Sequence, residues 1–478
     1  MLDHTRAIFI ADESAHAFGQ RRSPTSSPIR PDRLLPPVNV CADVTNLRLR
    51  NFDGARTTLF EWAPAVLYIA LLYFQPLTRY LLSREVGELA NAGVLLVGVF
   101  NAVTRVRIRS KFHPLAAAIV GALFVCLVML SGLFNQVPGY ALALSLYRII
   151  SACLAFILLA ATARSRTGIW AICSTLAICA AINAGVALWG AATHQTLFGV
   201  TTNEVGPAAF GYDRTLGRSG GVWGDNYCGI FNLPGILAAL ALAYHRKYIL
   251  LAFGMLAIGM AGTVVSFSRG SILSAAVGTC AFLVLGMGKL SPSRVFGMIL
   301  LLVTAVGIGV ASSSYFLRLL PRDLQAYTAD RFSEKGVASD GRNALYKHYI
   351  EEAGEHPLMG SGPGHILAEV GYDISKNNIN KGYGFPHNSF LDVAVEFGIP
   401  GLCLFALAIL SPLADIRAAR ADVHIAHLYA CYVGVLISSM TVSIPYMPFL
   451  WGLAGAIVGA AHTRAGRGVQ AIGFRQAG

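Results

Sequence analysis

Charge is scarce in this chain of 478 residues: Asp, Glu, Lys and Arg make up 13% of it, against 55% for the hydrophobic types. So little charge cannot cover the surface of a soluble protein of that length. The apolar residues also come in long runs instead of the stripes of amphipathic helices, which excludes an ordinary water-soluble enzyme. Cysteine is present but carries no pattern. The nine residues form no CxxC and no metal-ligand spacing, and Cys126, Cys153, Cys173, Cys179, Cys280 and Cys431 lie inside apolar runs as packing residues. Their odd number and dispersed positions exclude a disulfide framework. Walker and dinucleotide glycine motifs are absent, and no carboxylate pair has glycosidase-like placement.

What is there is a series of hydrophobic runs. A bilayer core of roughly 30 Å needs about 20 apolar residues of helix, and about twelve such segments can be marked. They fall near 62–82, 86–103, 114–131, 143–162, 168–191, 226–244, 248–265, 270–287, 295–311, 388–411, 422–443 and 446–462. The fold class expected is an all-α polytopic membrane protein.

A net charge of +12 is of the size that nucleic-acid binders carry, but the basic residues follow the positive-inside rule. With the N-terminus in the cytoplasm, the inner connections carry Arg105, Arg107, Arg109 and Lys111, then Arg164 and Arg166, Arg246 and Lys247, Lys289 and Arg294, Arg417 and Arg420, and finally Arg464, Arg467 and Arg475. Both termini are therefore expected inside, the basic face meets membrane lipid headgroups, and no nucleic acid is implied.

Residues 1–61 are polar and proline-bearing, with no run long enough for a cleavable signal peptide, and read as a disordered cytoplasmic tail held inside by eight arginines. Nine transmembrane helices are expected over 62–311, three more over 388–462, and a second cytoplasmic tail over 463–478.

Two outer connections are long. Residues 192–225 place Arg214 and Arg218 at i, i+4 beside Gly217, Gly220 and Gly221, before Asn226 at the next helix start. On a helix both guanidinium groups would face one way and could clamp a polyanion; the other reading is a solvated pair balanced by Asp213 and Asp225. Residues 312–387 form the large external segment. Within it Leu345, Tyr346, Tyr349, Ile350 and Ala353 recur at helical spacing, Arg342 stands in the first turn, and Pro357 ends the pattern. An amphipathic helix lying on the membrane domain is expected, and an arginine unfavourably placed at its dipole points to an anionic partner.

Other single residues stand out. Arg269, in SFSRGS between two spans, either meets an anionic ligand or anchors to headgroups. Arg148 falls inside the outer leaflet and is either a site or pairing residue or a snorkelling one. Asp392 and Glu396 share one face of an apolar helix, where Glu396 pairs with an arginine, bonds backbone or faces a cavity. His387 sits between Pro386 and the helix N-cap residue Asn388, at the last loop position before a buried helix. A histidine held there could act as a base. His348, His356 and His365 lie in the same segment, where an isolated surface histidine is more often inert.

Counted from His387, the chain reads His387, Asn388, nine residues, Gly398, two residues, Gly401. This HN x9 G xx G spacing resembles the signature of the O-antigen ligase and O-antigen polymerase superfamily of bacterial envelope glycan enzymes. SFSRG at Arg269, the GR, amphipathic helix and HPLMGSGPG order from Gly341 to Gly364, and RxxxR followed by Asn226 are similar to family features.

The resemblance implies a GT-C-like membrane fold in the bacterial inner membrane, with 312–387 as a periplasmic loop. It implies an inverting glycosyl transfer that needs no metal or other cofactor. The donor would be an undecaprenyl diphosphate-linked glycan, and the acceptor a hydroxyl of lipid A core or of another glycan. In that reading His387 is the general base, Arg214, Arg218, Arg269, Arg342 and Arg148 bind diphosphate or glycan, and Asn388, Asp392, Glu396, Gly398 and Gly401 support them. Ligase is preferred to repeat-unit polymerase, which uses the same donor. A lipid-linked sugar transporter and a non-catalytic assembly subunit are the readings outside enzymology; the second predicts that His387 is dispensable.

Overall fold

The computed structural model describes residues 59–77, 84–105, 114–193, 195, 211–213, 218–223, 225–243, 248–266, 268–286, 342–366, 372–373, 378–379, 386–414, 416 and 422–461. Twelve helices are found among them. They are α1 (Leu59–Tyr73), α2 (Arg84–Arg105), α3 (Pro114–Phe134), α4 (Gly139–Thr162), α5 (Arg166–Thr193), α6 (Asp225–Ala243), α7 (Ile249–Val264) and α8 (Arg269–Gly286), followed by α9 (Arg342–Glu355), α10 (Ser389–Leu410), α11 (Val423–Ser439) and α12 (Pro448–Ala461). Two short antiparallel hairpins interrupt the helices: β1 (Gly211–Asp213) with β2 (Arg218–Gly221), and β3 (Tyr372–Asp373) with β4 (Asn378–Ile379).

Every helix except α9 coincides with one of the apolar segments expected from sequence. The segment near 295–311 lies outside the described residues, as do the tails 1–58 and 462–478 and most of 312–387. By length and composition four helices can cross a membrane, Ala141–Thr162, Arg166–Thr193, Arg269–Gly286 and Ser389–Ala414, and seven others are apolar but shorter. Large apolar side chains such as Phe100, Trp170 and Leu250 face outward, 72%, 60% and 86% exposed, as suits lipid and not water. This is a multi-pass membrane protein.

The centre of the bundle is α6, which packs against α5, α7, α8 and α11. Ile230, Phe231, Leu233, Ile236, Leu237 and Leu240 on it are fully buried. Hydrocarbon is as apolar as leucine, so close van der Waals approach and interhelical hydrogen bonds hold such helices together. Small residues provide the approach: a Cβ on Gly229 of α6 would collide with Ser271 of α8, and one on Gly455 of α12 with the Phe156 carbonyl of α4. The hydrogen bonds cross between helices. Tyr73 Oη donates to Phe231 O at 3.1 Å, Ser274 Oγ to Gly434 O at 2.6 Å, and Tyr432 Oη to Ile409 O at 2.6 Å. Each contributes on the order of 0.6 kcal/mol. His427 Nε2 lies 3.0 Å from Pro234 O, a group that can only accept, so that nitrogen carries the proton.

Helix α9 lies against α10, with Tyr349 fully buried between Ile366 and Val395 and flanked by Leu345, Ala353 and Leu391. Its apolar face is narrower than the sequence spacing suggests. Ile350 is 61% exposed because it lies about 100° around the helix from Tyr349.

Candidate functional site

Helix α10 begins at a strongly specified point. Asn388 has extended backbone, φ −148° and ψ 109°, and its Oδ1 accepts the N–H groups of Phe390 at 3.0 Å and Leu391 at 3.3 Å. These two bonds satisfy donors that a helix N-terminus otherwise leaves orphaned. The next residue, Ser389, is fully buried; its hydroxyl donates to Val442 O at 2.9 Å and accepts Ile444 N–H at 2.8 Å. His387 is half-buried between Pro386 and this anchor, and its backbone is left-handed, φ 50°. An L-residue pays roughly 1–2 kcal/mol there. Such a conformation persists where its surroundings over-determine it, and the double cap and the Ser389 clamp on one side do so.

From Ser389 the first part of α10 runs beside the connection between α11 and α12. Asp392 Oδ1 accepts Ser443 Oγ at 3.1 Å and Glu396 Oε2 accepts Tyr446 Oη at 3.2 Å, so Ser389, Asp392 and Glu396 meet residues 442–446 one turn after another. Both carboxylates are buried, Asp392 at 5% exposure and Glu396 at 6%.

The helix then breaks at Gly398, φ 66° and ψ −166°, two residues before Pro400. The broken ladder is taken up by the turn after α9. Ser361 N–H donates to Val395 O at 2.7 Å, Gly362 N–H to Glu396 O at 3.2 Å, and Ile399 N–H to Pro357 O at 2.8 Å. Gly364 N–H donates to Glu396 Oε1 at 3.0 Å. Both partners must be glycine at the crossing. A Cβ on Gly398 would fall 2.5 Å from Pro357 O, and one on Gly360 would collide with the Glu396–Phe397 peptide. Helix α3 supports the joint from behind, with Ser131 Oγ donating to Met359 O at 2.6 Å and Asn135 Nδ2 to Gly360 O at 3.0 Å. The GSGPG turn therefore caps a helix kink with its backbone.

The turn is also tied to α9. Glu352 Oε1 accepts Ser361 Oγ at 2.7 Å and lies 3.1 Å from His365 Nε2. His365 thus has a carboxylate partner that its position in the sequence does not reveal.

Of the arginines, Arg269 is the first residue of α8 and half-buried. Its neighbour Gly270 packs so tightly on Thr441 that a Cβ there would collide with the hydroxyl. Thr441 immediately precedes Val442, whose carbonyl binds Ser389. The starts of α8 and α10, with Arg269 and His387, are therefore gathered onto one short connection. Arg148 is exposed on α4 and lies within electrostatic reach of Glu396 and Tyr446.

Arg218 opens β2, and the next residue, Ser219, donates its N–H to Val265 O at 3.1 Å, four residues before Arg269. Arg342 opens α9. Arg214 lies outside the described residues. Among the described residues no three His, Cys, Asp or Glu side chains come together as metal ligands.

Several contributors escape sequence reasoning: Ser131, Asn135, Ser389, Ser443 and Tyr446 are single polar residues in or beside apolar runs. Their one signal is a polar side chain where lipid or core would favour an apolar one.

Over residues 235–406 the chain matches the family model described as O-antigen ligase. The match runs from within α6 to within α10 and includes His387, Asn388, Gly398 and Gly401. No curated protein matches the chain.

Proposed function

We propose that this chain, which matches the O-antigen ligase family model over residues 235–406, is a member of the O-antigen ligase and polymerase superfamily and an inverting glycosyltransferase of the bacterial inner membrane. It moves a glycan from undecaprenyl diphosphate to an acceptor hydroxyl on the periplasmic face, and that acceptor is a lipid A core sugar.

The observation that carries this reading is the setting of His387. The imidazole stands on a left-handed residue directly before a doubly capped helix, and the same connection that clamps Ser389 packs on the residue after Arg269. A cation beside a base fits the chemistry. His387 takes the proton of the acceptor hydroxyl as its oxygen forms the new bond to the anomeric carbon. The bond from that carbon to the phosphate oxygen breaks, and its electron pair leaves with the diphosphate. Fixed guanidinium groups stabilise the growing charge in a site of low dielectric. Arg269 is assigned this role, with Arg214, Arg218 and Arg342 as further donor contacts on the same face, and Arg148 as the balancing charge for Glu396. The arginines, not a metal ion, take up the diphosphate charge in this reading.

In this reading the chain has twelve spans and both termini in the cytoplasm, so that all these groups lie on the outer face. The periplasmic segment 312–387 ends at His387 and would shape the acceptor site.

The test is His387→Ala in membranes, with protein level and lipid-linked donor unchanged. Loss of glycan transfer is expected, and transfer at the wild-type rate overturns the assignment. Deletion of the gene distinguishes the acceptor: free lipid-linked polymer accumulating with bare lipid A core means ligase, and single repeat units accumulating means polymerase.

A further inference from the structure

A second polar cluster lies inside the bundle, beneath β2, and plays no part in the chemistry above. Asn183 of α5 is 1% exposed and Asn232 of α6 fully buried. Asn183 Oδ1 accepts Val222 N–H at 2.8 Å, and its Nδ2 donates to Asn232 Oδ1 at 2.8 Å. Asn232 Nδ2 in turn faces Cys228 Sγ at 3.2 Å and Thr263 Oγ1 at 3.4 Å, and that hydroxyl donates to Gly259 O at 2.8 Å. A backbone N–H can only donate, so the direction of every bond in the chain follows from Val222. The amide of Asn183 has one orientation that satisfies all its partners.

What the cluster holds is the strand that begins at Arg218. Ser219 is fixed through its N–H to Val265 O and through its hydroxyl to Ala187 O. Gly221 has φ +65°, and a Cβ on it would fall 2.5 Å from Asn183 Oδ1. Trp223 Nε1 donates to Tyr73 O at 2.9 Å and its ring stacks on Phe231, centroids 5.2 Å apart. Helices α1, α5, α6 and α7 therefore all grip six residues of chain, which is more than a connection between two helices needs. A surface hairpin is ordinarily among the less stable parts of a fold. This one is set down on a buried amide that must be desolvated to receive it.

We propose that Asn183 is a positioning residue for the donor: it fixes β2, and with it the backbone of Arg218, against the Val265 end of the connection that leads to Arg269, so that both arginines can meet one diphosphate. The proposal rests on the donor assignment made above. It adds that the precision of donor binding is set by an intramembrane asparagine which touches no substrate.

The test uses the full chain in detergent micelles, with undecaprenyl diphosphate and undecaprenyl monophosphate as the probes. Wild-type protein is expected to bind the diphosphate more tightly. Asn183→Ala is expected to weaken diphosphate binding about tenfold while leaving the monophosphate nearly unaffected. Asn183→Asp, which as the neutral acid offers the same acceptor and one donor, is expected to restore it. Gly221→Ala pushes the strand off Asn183 while leaving the asparagine in place, because its Cβ would fall 2.5 Å from Asn183 Oδ1, and it serves where Asn183→Ala fails to fold; the same selective loss is expected. Combining Asn183→Ala with Arg218→Ala is expected to cost no more than Arg218→Ala alone, because the amide acts through that strand. Folded Asn183→Ala or Gly221→Ala protein with wild-type diphosphate affinity overturns the inference, and so does an additive double variant. Wild-type protein that does not distinguish the two lipids and transfers no glycan removes the donor assignment itself, and the inference with it.

Discussion

The carboxylate of Glu396 and the backbone of Gly364 are joined by a 3.0 Å hydrogen bond that ties the turn after α9 to the kinked helix that follows His387. The same carboxylate accepts Tyr446 Oη at 3.2 Å, so one side chain connects three segments far apart in sequence. Its burial among hydrogen-bond donors is a structural arrangement. In the proposed mechanism His387 is the base, and Glu396 holds the frame in which it is presented.

Glu396→Gln should therefore be tolerated better than Glu396→Ala. Glutamine keeps a carbonyl oxygen for Gly364 and offers an amide to the Tyr446 oxygen. Alanine leaves a buried N–H and a buried hydroxyl unpaired, which costs about 1–3 kcal/mol for each group. Thermal unfolding in detergent should show Glu396→Ala well below wild type and Glu396→Gln close to it. Equal midpoints for the two variants would contradict the bonds assigned to the carboxylate.

Gly398 makes a sharper case. At φ 66° with Pro357 O 2.5 Å from any added Cβ, Gly398→Ala meets both backbone strain and a collision with a carbonyl that already serves Ile399. A loss on the order of 1–3 kcal/mol is expected, together with reduced glycan transfer as the kink relaxes. Gly254→Ala is the control, since nothing lies within 4 Å of a Cβ there and φ is not positive. The added methyl should be neutral or mildly stabilising by melting temperature.

The two acidic neighbours on α9 should differ. Lys347 and Glu351 form an i, i+4 pair at 3.9 Å with side chains 79% and 63% exposed, an arrangement that contributes only about 0.3–0.5 kcal/mol before screening. Glu352 is 16% exposed and holds both Ser361 and His365. Glu351→Ala should be nearly silent in thermal unfolding, whereas Glu352→Ala should lower the midpoint and make the 357–364 turn more sensitive to proteolysis. A silent Glu352→Ala would mean that the turn is held by its backbone bonds alone.

The helices were legible because apolar runs of bilayer length leave the chain few alternatives. The start of α10 was legible as well, since Asn388 is a strong cap and its spacing to Gly398 and Gly401 is a ruler. The nine residues 389–397 form the first part of the helix, about 13 Å long at 1.5 Å per residue, and Gly398 is where it breaks. What the spacing could not reveal is the partner of the break. Ser131 meets Glu396 O across 265 positions of chain, and Asn183 meets Val222 across 39. Periodicity describes one helix at a time, and a buried serine or asparagine in an apolar run gives no clue to which distant carbonyl it serves. The exposed Ile350 fails for a related reason: an apolar residue at the margin of a stripe counts toward the pattern without lying on the face that packs.

His387 allows chemistry to be separated from stability in one substitution. Its left-handed backbone, φ 50°, suits glycine, so His387→Gly removes the imidazole while relieving conformational strain of roughly 1–2 kcal/mol. Part of that relief is offset by the greater freedom of glycine in the unfolded chain. A residue kept only for the fold would be replaced at little cost, and the variant would work. A base would not, and the variant should be as stable as wild type or more so, bind lipid-linked donor normally, and transfer no glycan. The measurements are the thermal midpoint, donor retention and transfer on one preparation. Transfer near the wild-type rate by His387→Gly would show that the left-handed corner, and not the ring, is what the chain requires at that position.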